Sequence, residues 1–253
     1  MRYRAQVEYD GTDFDGFQVN PGRRTVQGVL EDALRHLGNG AGERVDGAGR
    51  TDAGVHAAGQ VIAFSYDGRL DVTELGRALD ALLPADVTVR EVRRAPAGFN
   101  PRYAARYREY RYTIWNGPRS PLRERTALGV RIPLDTAAMA RAGSVFEGRH
   151  DFSPFGAADR SPVRTVYAVR VRREGRTVTI DVRADAFLRG MVRRIVACLL
   201  EVGLGKMDED AVRSALAGTG PALGGASAPA AGLCLRRVAF GRRDGTNGAN
   251  EER

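Results

Sequence analysis

One glycine-rich segment holds a carboxylate close to a guanidinium. It spans residues 47–56 and reads Gly-Ala-Gly-Arg-Thr-Asp-Ala-Gly-Val-His, so that one residue separates Arg50 from Asp52. The small residues around them would let the backbone of a substrate approach both side chains. The segment has neither the ending of a phosphate-binding P-loop nor the spacing of a dinucleotide-binding loop. By itself it fits a turn in which Asp52 accepts local hydrogen bonds, or a site that works with one carboxylate.

Two other segments combine arginines with aromatic or apolar side chains. Tyr110 and Tyr112 share one face of a predicted strand with arginines beside them, which suits either base stacking or an ordinary aromatic pair. Arg189 and Arg193 are four residues apart in a segment that we predict to be helical, so they would lie one turn apart on its polar flank. These two arginines could belong to a site or form a solvated helix face.

The composition is that of a basic, soluble globular protein. The chain has 253 residues with 39 Lys+Arg against 31 Asp+Glu, which gives a formal net charge of +8. All of these cations except Lys206 are arginines, whose guanidinium groups bind phosphates bidentately. The charge suits a nucleic-acid partner, although genome composition explains an arginine excess equally well. No apolar run approaches the roughly 20 residues of a membrane span, and the N-terminus lacks a signal-peptide core, so we expect a cytoplasmic protein outside the membrane.

The cysteines and histidines show no metal-ligand or disulfide pattern. Cys198 and Cys234 are isolated in apolar surroundings, and His36, His56 and His150 lack the spacing of metal ligands. We therefore predict two thiols packed in the core and no metal site.

Hydrophobic periodicity predicts a similar order of elements in each half of the chain. The predicted strands are 2–9, 60–65, 87–93, 105–115, 163–173, 176–184 and 233–240, and the predicted helices are 26–37, 72–82, 136–146, 188–199 and 208–217. Thr25 is a candidate N-cap for the first helix, and Pro84 ends the second. The simplest architecture is α+β, with two split βαβ units and antiparallel sheets.

Three parts of the chain follow from this pattern. A stretch rich in turn formers, residues 95–101, marks the boundary between an N-terminal half, residues 1–98, and a C-terminal half, residues 99–241. The first half would carry the Asp52 loop, and the second would complete the site. The tail, residues 242–253, is rich in glycine, asparagine and charged residues, and we predict that it is disordered.

The motifs, taken in order, resemble those of the tRNA pseudouridine synthase A family over nearly the whole chain. The matching positions are residues 9–14, 16–18, 25–28, 30–31, 49–57, 108, 110, 112, 150–153, 187, 191–193, 228–229 and 232–233. The segment Gly-Arg-Thr-Asp-Ala-Gly-Val-His is the most specific of these matches. The resemblance implies two ferredoxin-like or RRM-like halves that form one continuous, mainly antiparallel sheet, with helices on one face and a central cleft.

The resemblance also implies a role for individual residues. Asp52 matches the single essential carboxylate of the family, and Arg193 matches the basic residue that pairs with it and keeps it ionised. Tyr110 matches the tyrosine that stacks on the flipped uracil and can act as a general base. We assign substrate binding to the neighbours of these three, namely Arg50, Thr51, His56, Phe187 and Leu188. Arg50 would help to open the base stack, and Leu188 would line the pocket.

The implied reaction is the isomerisation of uridine to pseudouridine in the anticodon stem-loop of tRNA. Uracil leaves C1′ of the ribose, rotates and reattaches through C5, so neither redox chemistry nor a cofactor is needed. The carboxylate either attacks C1′ or assists an elimination to a glycal, and the sequence does not choose between these routes. The target base must be flipped out of its stack. The resemblance further implies a homodimer that binds tRNA across both chains.

Departures from the family pattern leave two other interpretations open. Where bacterial members usually carry Tyr-His before Met-Val-Arg, this chain has Arg189 and Gly190, and Arg194 replaces a common asparagine. The substrate could therefore be a free uridine nucleotide such as UMP rather than tRNA. A catalytically silent RNA-binding protein is a third hypothesis, against which the presence of Asp52, Tyr110 and Arg193 argues.

Overall fold

A computed structural model describes residues 1–38, 44–220 and 227–241, which form one mixed sheet with helices. The strands are β1 (Arg2–Tyr9), β2 (Asp46–Gly47), β3 (His56–Ser65), β4 (Val87–Arg94), β5 (Ala105–Asn116), β6 (Leu128–Val130), β7 (Gly148–Asp151), β8 (Val163–Glu174), β9 (Thr177–Ala184) and β10 (Leu233–Phe240). The helices are α1 (Val26–Leu37), α2 (Val72–Leu82), α3 (Pro101–Ala104), α4 (Thr136–Ser144), α5 (Met191–Gly203) and α6 (Glu209–Leu216). The predicted disorder of residues 242–253 concerns residues outside the described part of the chain.

The strand order confirms two split βαβ units in one sheet. The order is β4-β1-β3-β10-β5-β9-β8-β7, with β2 on β3 and β6 on β5. Within each half, the first strand (β1 or β5) lies between the last strand (β4 or β10) and the strand that precedes the last one in sequence (β3 or β9). The halves meet where β10 runs parallel to β3, with Cys234 opposite His56 and Leu235 opposite Ala57. The other pairs along this order are antiparallel, as predicted. The division into domains at residue 98 remains a prediction.

One face of the sheet is covered and the other is not. Along β1, Tyr3, Ala5, Val7 and Tyr9 are buried, whereas the alternate residues are only half-buried. This alternation is the expected pattern for a strand with helices on one face. Helices α1, α2, α4 and α6 begin at side-chain caps, whereas α5 begins after Gly190 without one. At the start of α1, Thr25 Oγ1 accepts from Gly28 N–H, a cap that the sequence predicted.

The structure departs from the predicted elements in two ways. Periodicity did not predict β2, α3, β6 and β7, because a period cannot be recognised in two to four residues. In addition, α5 begins at Met191 rather than at 188, so the placing of Arg189 within the helix was wrong. Gly190 takes a left-handed conformation with φ of 75° before the helix, and Arg189 therefore lies in the preceding loop.

No helix in the described ranges is both long enough and apolar enough to cross a bilayer.

Candidate active site

Asp52 lies in the loop between β2 and β3, at the junction of the two halves. Backbone hydrogen bonds hold this loop against the segment that follows β1: Phe17 N–H donates to Thr51 O at 3.1 Å, and Gly54 N–H donates to Phe14 O at 3.2 Å. Val55 N–H closes the turn by donating to Asp52 O at 3.2 Å. The main chain around the carboxylate is thus fixed on both sides.

Buried polar groups support the loop from the core. The Tyr9 hydroxyl lies 2.8 Å from Thr51 Oγ1, and both side chains are buried. Gln60, which is fully buried in β3, donates from Nε2 to Gly49 O at 2.7 Å. Burial raises the pKa of Tyr9, so its phenol stays neutral and able to donate. Because these polar groups satisfy one another, the loop can lie over the core without an uncompensated desolvation cost.

Arg108 ties the same loop to the C-terminal half. Its guanidinium is buried and donates to Ala48 O from Nε at 3.1 Å and from Nη2 at 2.7 Å, and Nη1 donates to Asp185 O at 2.8 Å. A further bond from Nη2 reaches Arg102 O at 2.5 Å. Its hydrogen bonds go to backbone carbonyls, and burial lowers the pKa of the Arg108 guanidinium below its ordinary value. Arg108 therefore connects the Asp52 loop with the β9–α5 loop.

Two glycines allow the close approach of backbone segments at this loop. A Cβ on Gly11 would lie 2.0 Å from Val55 O, and a Cβ on Gly16 would lie 2.8 Å from Thr51 O. Gly16 also has a φ of 92°, which an L side chain rarely adopts. Both positions require glycine because the post-β1 segment packs directly on the Asp52 loop.

The Asp52 carboxylate faces one arginine on each oxygen. Arg193 Nη1 lies 3.6 Å from Oδ2, and Arg189 Nε lies 3.6 Å from Oδ1. Arg193 is held in place, because its Nε donates to Ala228 O at 2.6 Å and its side chain is 22% exposed. The side chain of Asp52 is 28% exposed, so the carboxylate remains open to a substrate while facing a fixed positive charge. The structure thus brings together Asp52 and Arg193, as the resemblance implied.

Tyr110 lies beneath this pair and is covered by Phe187. The two rings meet edge to face at 5.2 Å between centroids, and Tyr110 is 7% exposed. Burial raises the pKa of Tyr110, and the nearby negative charge of Asp52 raises it further. The phenol is therefore neutral near pH 7 and is not available as a phenolate base.

The remaining predicted substrate-binding residues differ in their access to solvent. Arg50 is exposed beside Asp52. Leu188 is 4% exposed and packs tightly against Gly156. Thr51 points into the core towards Tyr9.

His56 is also turned away from solvent and is 8% exposed. Its Nδ1 lies 3.1 Å from Gly11 N and 3.1 Å from Asp10 Oδ1, and its Nε2 lies 3.2 Å from Ala231 O. The polar atoms of Thr51 and His56 are thus bonded within the protein, where they help to position the loop, and their contact with a substrate stays a prediction.

Tyr9 and Arg108 are site residues whose roles the sequence did not reveal. Both lie in matched motifs. In sequence alone, however, a tyrosine at the end of a strand usually indicates the edge of a sheet. An arginine in an alternating strand usually indicates the face exposed to solvent. The signal for Arg108 is its position, because it falls on the same strand face as Tyr110 and Tyr112, which is the buried face.

In the described part of the chain, no group of three or more His, Cys, Asp or Glu side chains is arranged to hold a metal ion. Cys198 is buried and Cys234 half-buried, and both are free thiols.

Comparisons with known proteins identify the family of the chain. A family model described as tRNA pseudouridine synthase matches residues 5–104 and 142–241. Among curated relatives, "tRNA pseudouridine synthase A" of Geotalea uraniireducens is 42% identical over 238 residues, covering 92% of this chain and 97% of that protein. The protein of the same name from Halalkalibacterium halodurans is 41% identical over 254 residues, covering 99% of this chain and 95% of the relative. By the family match and by these identities over nearly its whole length, the chain belongs to the tRNA pseudouridine synthase family.

Proposed function

We propose that this protein isomerises uridine to pseudouridine in the anticodon stem-loop of tRNA, with Asp52 as the catalytic carboxylate. The observation that carries the proposal is the partly exposed Asp52 carboxylate, held in a fixed loop with Arg193 3.6 Å from one oxygen. Membership of the family and the names of the relatives support the substrate class.

The chemistry needs few groups because the reaction is an isomerisation. The bond between N1 and C1′ breaks, uracil turns over, and a bond between C5 and C1′ forms. C5 gives up its hydrogen as a proton and N1 gains one, so atoms and electrons balance without a co-reactant. A carboxylate serves either route, by attack on C1′ or by taking a proton in an elimination.

Each residue of the site then has a definite task. Arg193 orients the Asp52 carboxylate, because its own guanidinium is fixed by Ala228 O. Tyr110 is placed to contact the uracil ring. Its neutral hydroxyl can accept the C5 proton only if it hands its own proton to another acceptor. Arg50 lies exposed at the mouth of the site, where it can hold the flipped nucleotide.

A homodimer in the cytoplasm is the finer part of the proposal, and it rests on the family resemblance. A long apolar helix such as α5 could in principle contribute to both the core and a dimer interface. The apolar side chains of α5 are instead buried in, or packed against, the core of the single chain, so this helix gives no support to a dimer. Light scattering that gives about twice the chain mass of 27.4 kDa would support the dimer, and a single-chain mass would contradict it.

The experiment that tests the reaction and the substrate compares RNA with a free nucleotide. Unmodified tRNA and UMP, each carrying tritium at C5 of uracil, are incubated with the protein, and tritium released into water is counted. Pseudouridine in the tRNA is confirmed by chemical labelling. Release from tRNA with none from UMP is the expected result. Release from UMP alone would favour the nucleotide isomerase, and release from neither would favour a silent RNA-binding protein.

A further inference from the structure

The two arginines at Asp52 are held very differently. Arg193 has a second, short hydrogen bond to Ala228 O and a side chain that is 22% exposed. The Arg189 side chain is 84% exposed, and across the described residues its ion pair with Asp52 is the one contact recorded for its guanidinium. At 3.6 Å this pair is longer than the roughly 2.7–2.9 Å of a charge-assisted hydrogen bond. Arg189 is therefore a loosely bound cation at a carboxylate that already has a fixed one.

The backbone of Arg189, in contrast, is fixed beside the site. Its carbonyl accepts from Ala157 N–H at 3.0 Å, and Gly190 turns the chain sharply into α5. A Cβ on Gly190 would have no atom within 4 Å, so the space next to this turn is open. The arrangement presents a long, exposed cationic side chain from a fixed backbone position beside Asp52.

An exposed ion pair of this kind is weak. Such pairs contribute about 0–1 kcal/mol in proteins, because water screens the charges and ordering two side chains costs entropy. A guanidinium binds a phosphate with two parallel hydrogen bonds, which are stronger than a single long contact. A uridine in RNA carries a phosphodiester on each side of its ribose, so bringing its C1′ to Asp52 brings these phosphates within reach of the Arg189 side chain, which itself contacts Asp52. Exchange of Asp52 for a phosphodiester as the partner of Arg189 is then favourable.

We propose that Arg189 is a phosphate-binding residue that gives up Asp52 when RNA binds and takes a phosphodiester flanking the target uridine. The exchange uncovers Asp52 Oδ1 for the ribose while Arg193 continues to hold Oδ2. The inference rests on the proposed function, because it requires that a uridine in RNA is brought to Asp52. It assigns to Arg189 the recognition of the polynucleotide backbone at the reacting residue.

The test is a double-substitution cycle between the protein and the RNA. A stem-loop substrate is made with a neutral methylphosphonate on either side of the target uridine, and its dissociation constant is measured for the wild-type protein and for Arg189→Gln. At one of the two positions, the neutral linkage should weaken wild-type binding by about tenfold, which corresponds to about 1.4 kcal/mol. The same linkage should weaken binding to Arg189→Gln by less than about twofold, because the contact is already gone.

Two further variants separate a specific contact from general electrostatics. Arg77 is an exposed arginine of α2, on the part of the fold next to the edge strand β4, and Arg77→Gln removes the same charge. That variant should respond to the neutral linkage as the wild type does. Arg189→Lys should retain part of the response, because the charge remains while the bidentate geometry is lost.

The outcomes distinguish this inference from the proposed function. If both neutral linkages weaken Arg189→Gln as much as they weaken the wild type, Arg189 binds no flanking phosphate and the inference fails. The unmodified stem-loop is assayed for pseudouridine with the same wild-type preparation. If pseudouridine forms but the neutral linkages affect the wild type and Arg189→Gln equally, only the role of Arg189 is overturned. If no pseudouridine forms, the proposed function itself is overturned.

Discussion

Arg193 Nη1 lies 3.6 Å from Asp52 Oδ2, and this contact joins the first turn of α5 to the loop before β3. Replacing Arg193 with Gln keeps some hydrogen-bonding capacity but removes the charge that orients the carboxylate. We expect the single-turnover rate to fall about a hundredfold, the size of effect that a misplacement of about 1 Å can cause. The affinity for RNA should change much less. A rate within twofold of wild type would show that Asp52 does not depend on Arg193.

Tyr110→Phe removes a hydroxyl and keeps the ring with its edge-to-face contact to Phe187. Because the hydroxyl is the part of Tyr110 that can relay a proton, we expect the single-turnover rate to fall at least about tenfold. RNA affinity should stay within about twofold, since the aromatic surface remains. Rapid-quench measurement of pseudouridine formation checks this, and an unchanged rate would leave Tyr110 with a stacking role alone.

Gly11→Ala should destabilise the protein because the new Cβ would lie 2.0 Å from Val55 O, which is backbone. Forcing a methyl group into packed surroundings typically costs about 1–3 kcal/mol, and urea unfolding should show a loss of that size. The matched control is Gly129→Ala in β6, where a Cβ meets nothing within 4 Å. Equal stability of the two variants would mean that the post-β1 segment does not pack on the Asp52 loop as described.

The free energy of unfolding should decrease in alkaline solution because three phenols are buried in the folded protein. Burial raises the pKa values of Tyr9, Tyr110 and Tyr112 above the ordinary 10.0. Below pH 10 these groups are neutral in both states, and their full contribution to stability is present. As the pH rises above 10 the unfolded chain loses protons that the folded chain keeps, so the free energy of unfolding falls.

For three phenols the free energy of unfolding should fall by at most roughly 4 kcal/mol per pH unit. Urea unfolding at pH 9, 10 and 11 measures it. A constant free energy of unfolding across this range would contradict the burial of these hydroxyls.

Periodicity predicted the long elements well because each buries one face. The alternation in β1 and the helical spacing from Val26 to Leu37 both appear in the structure at the predicted residues. The start of α5 was misjudged because Leu188 continues the apolar spacing, and only the left-handed conformation of Gly190 shows that the helix begins later. Such a turn is hard to predict from the sequence, since glycine is also tolerated within helices.

The site was predicted less completely than the fold. Asp52 was singled out by its glycine-rich surroundings, but its pairing with Arg193 came from the resemblance and not from spacing, because the two residues are distant in the chain. The inward direction of Thr51 could not be predicted, because it depends on Tyr9, a partner 42 residues away in the sequence. Side-chain direction within an irregular loop follows from tertiary contacts, for which a local pattern carries no signal.

The most direct test of the account is tritium release from tRNA labelled at C5 of uracil, compared between the wild-type protein and Asp52→Asn. Asparagine has nearly the same shape but cannot act as a nucleophile or a base. Circular dichroism and RNA affinity serve as controls that the variant folds and binds. The account predicts release by the wild-type protein and a rate below about a thousandth of it for Asp52→Asn. Substantial release by Asp52→Asn would contradict the assignment of Asp52 as the catalytic carboxylate.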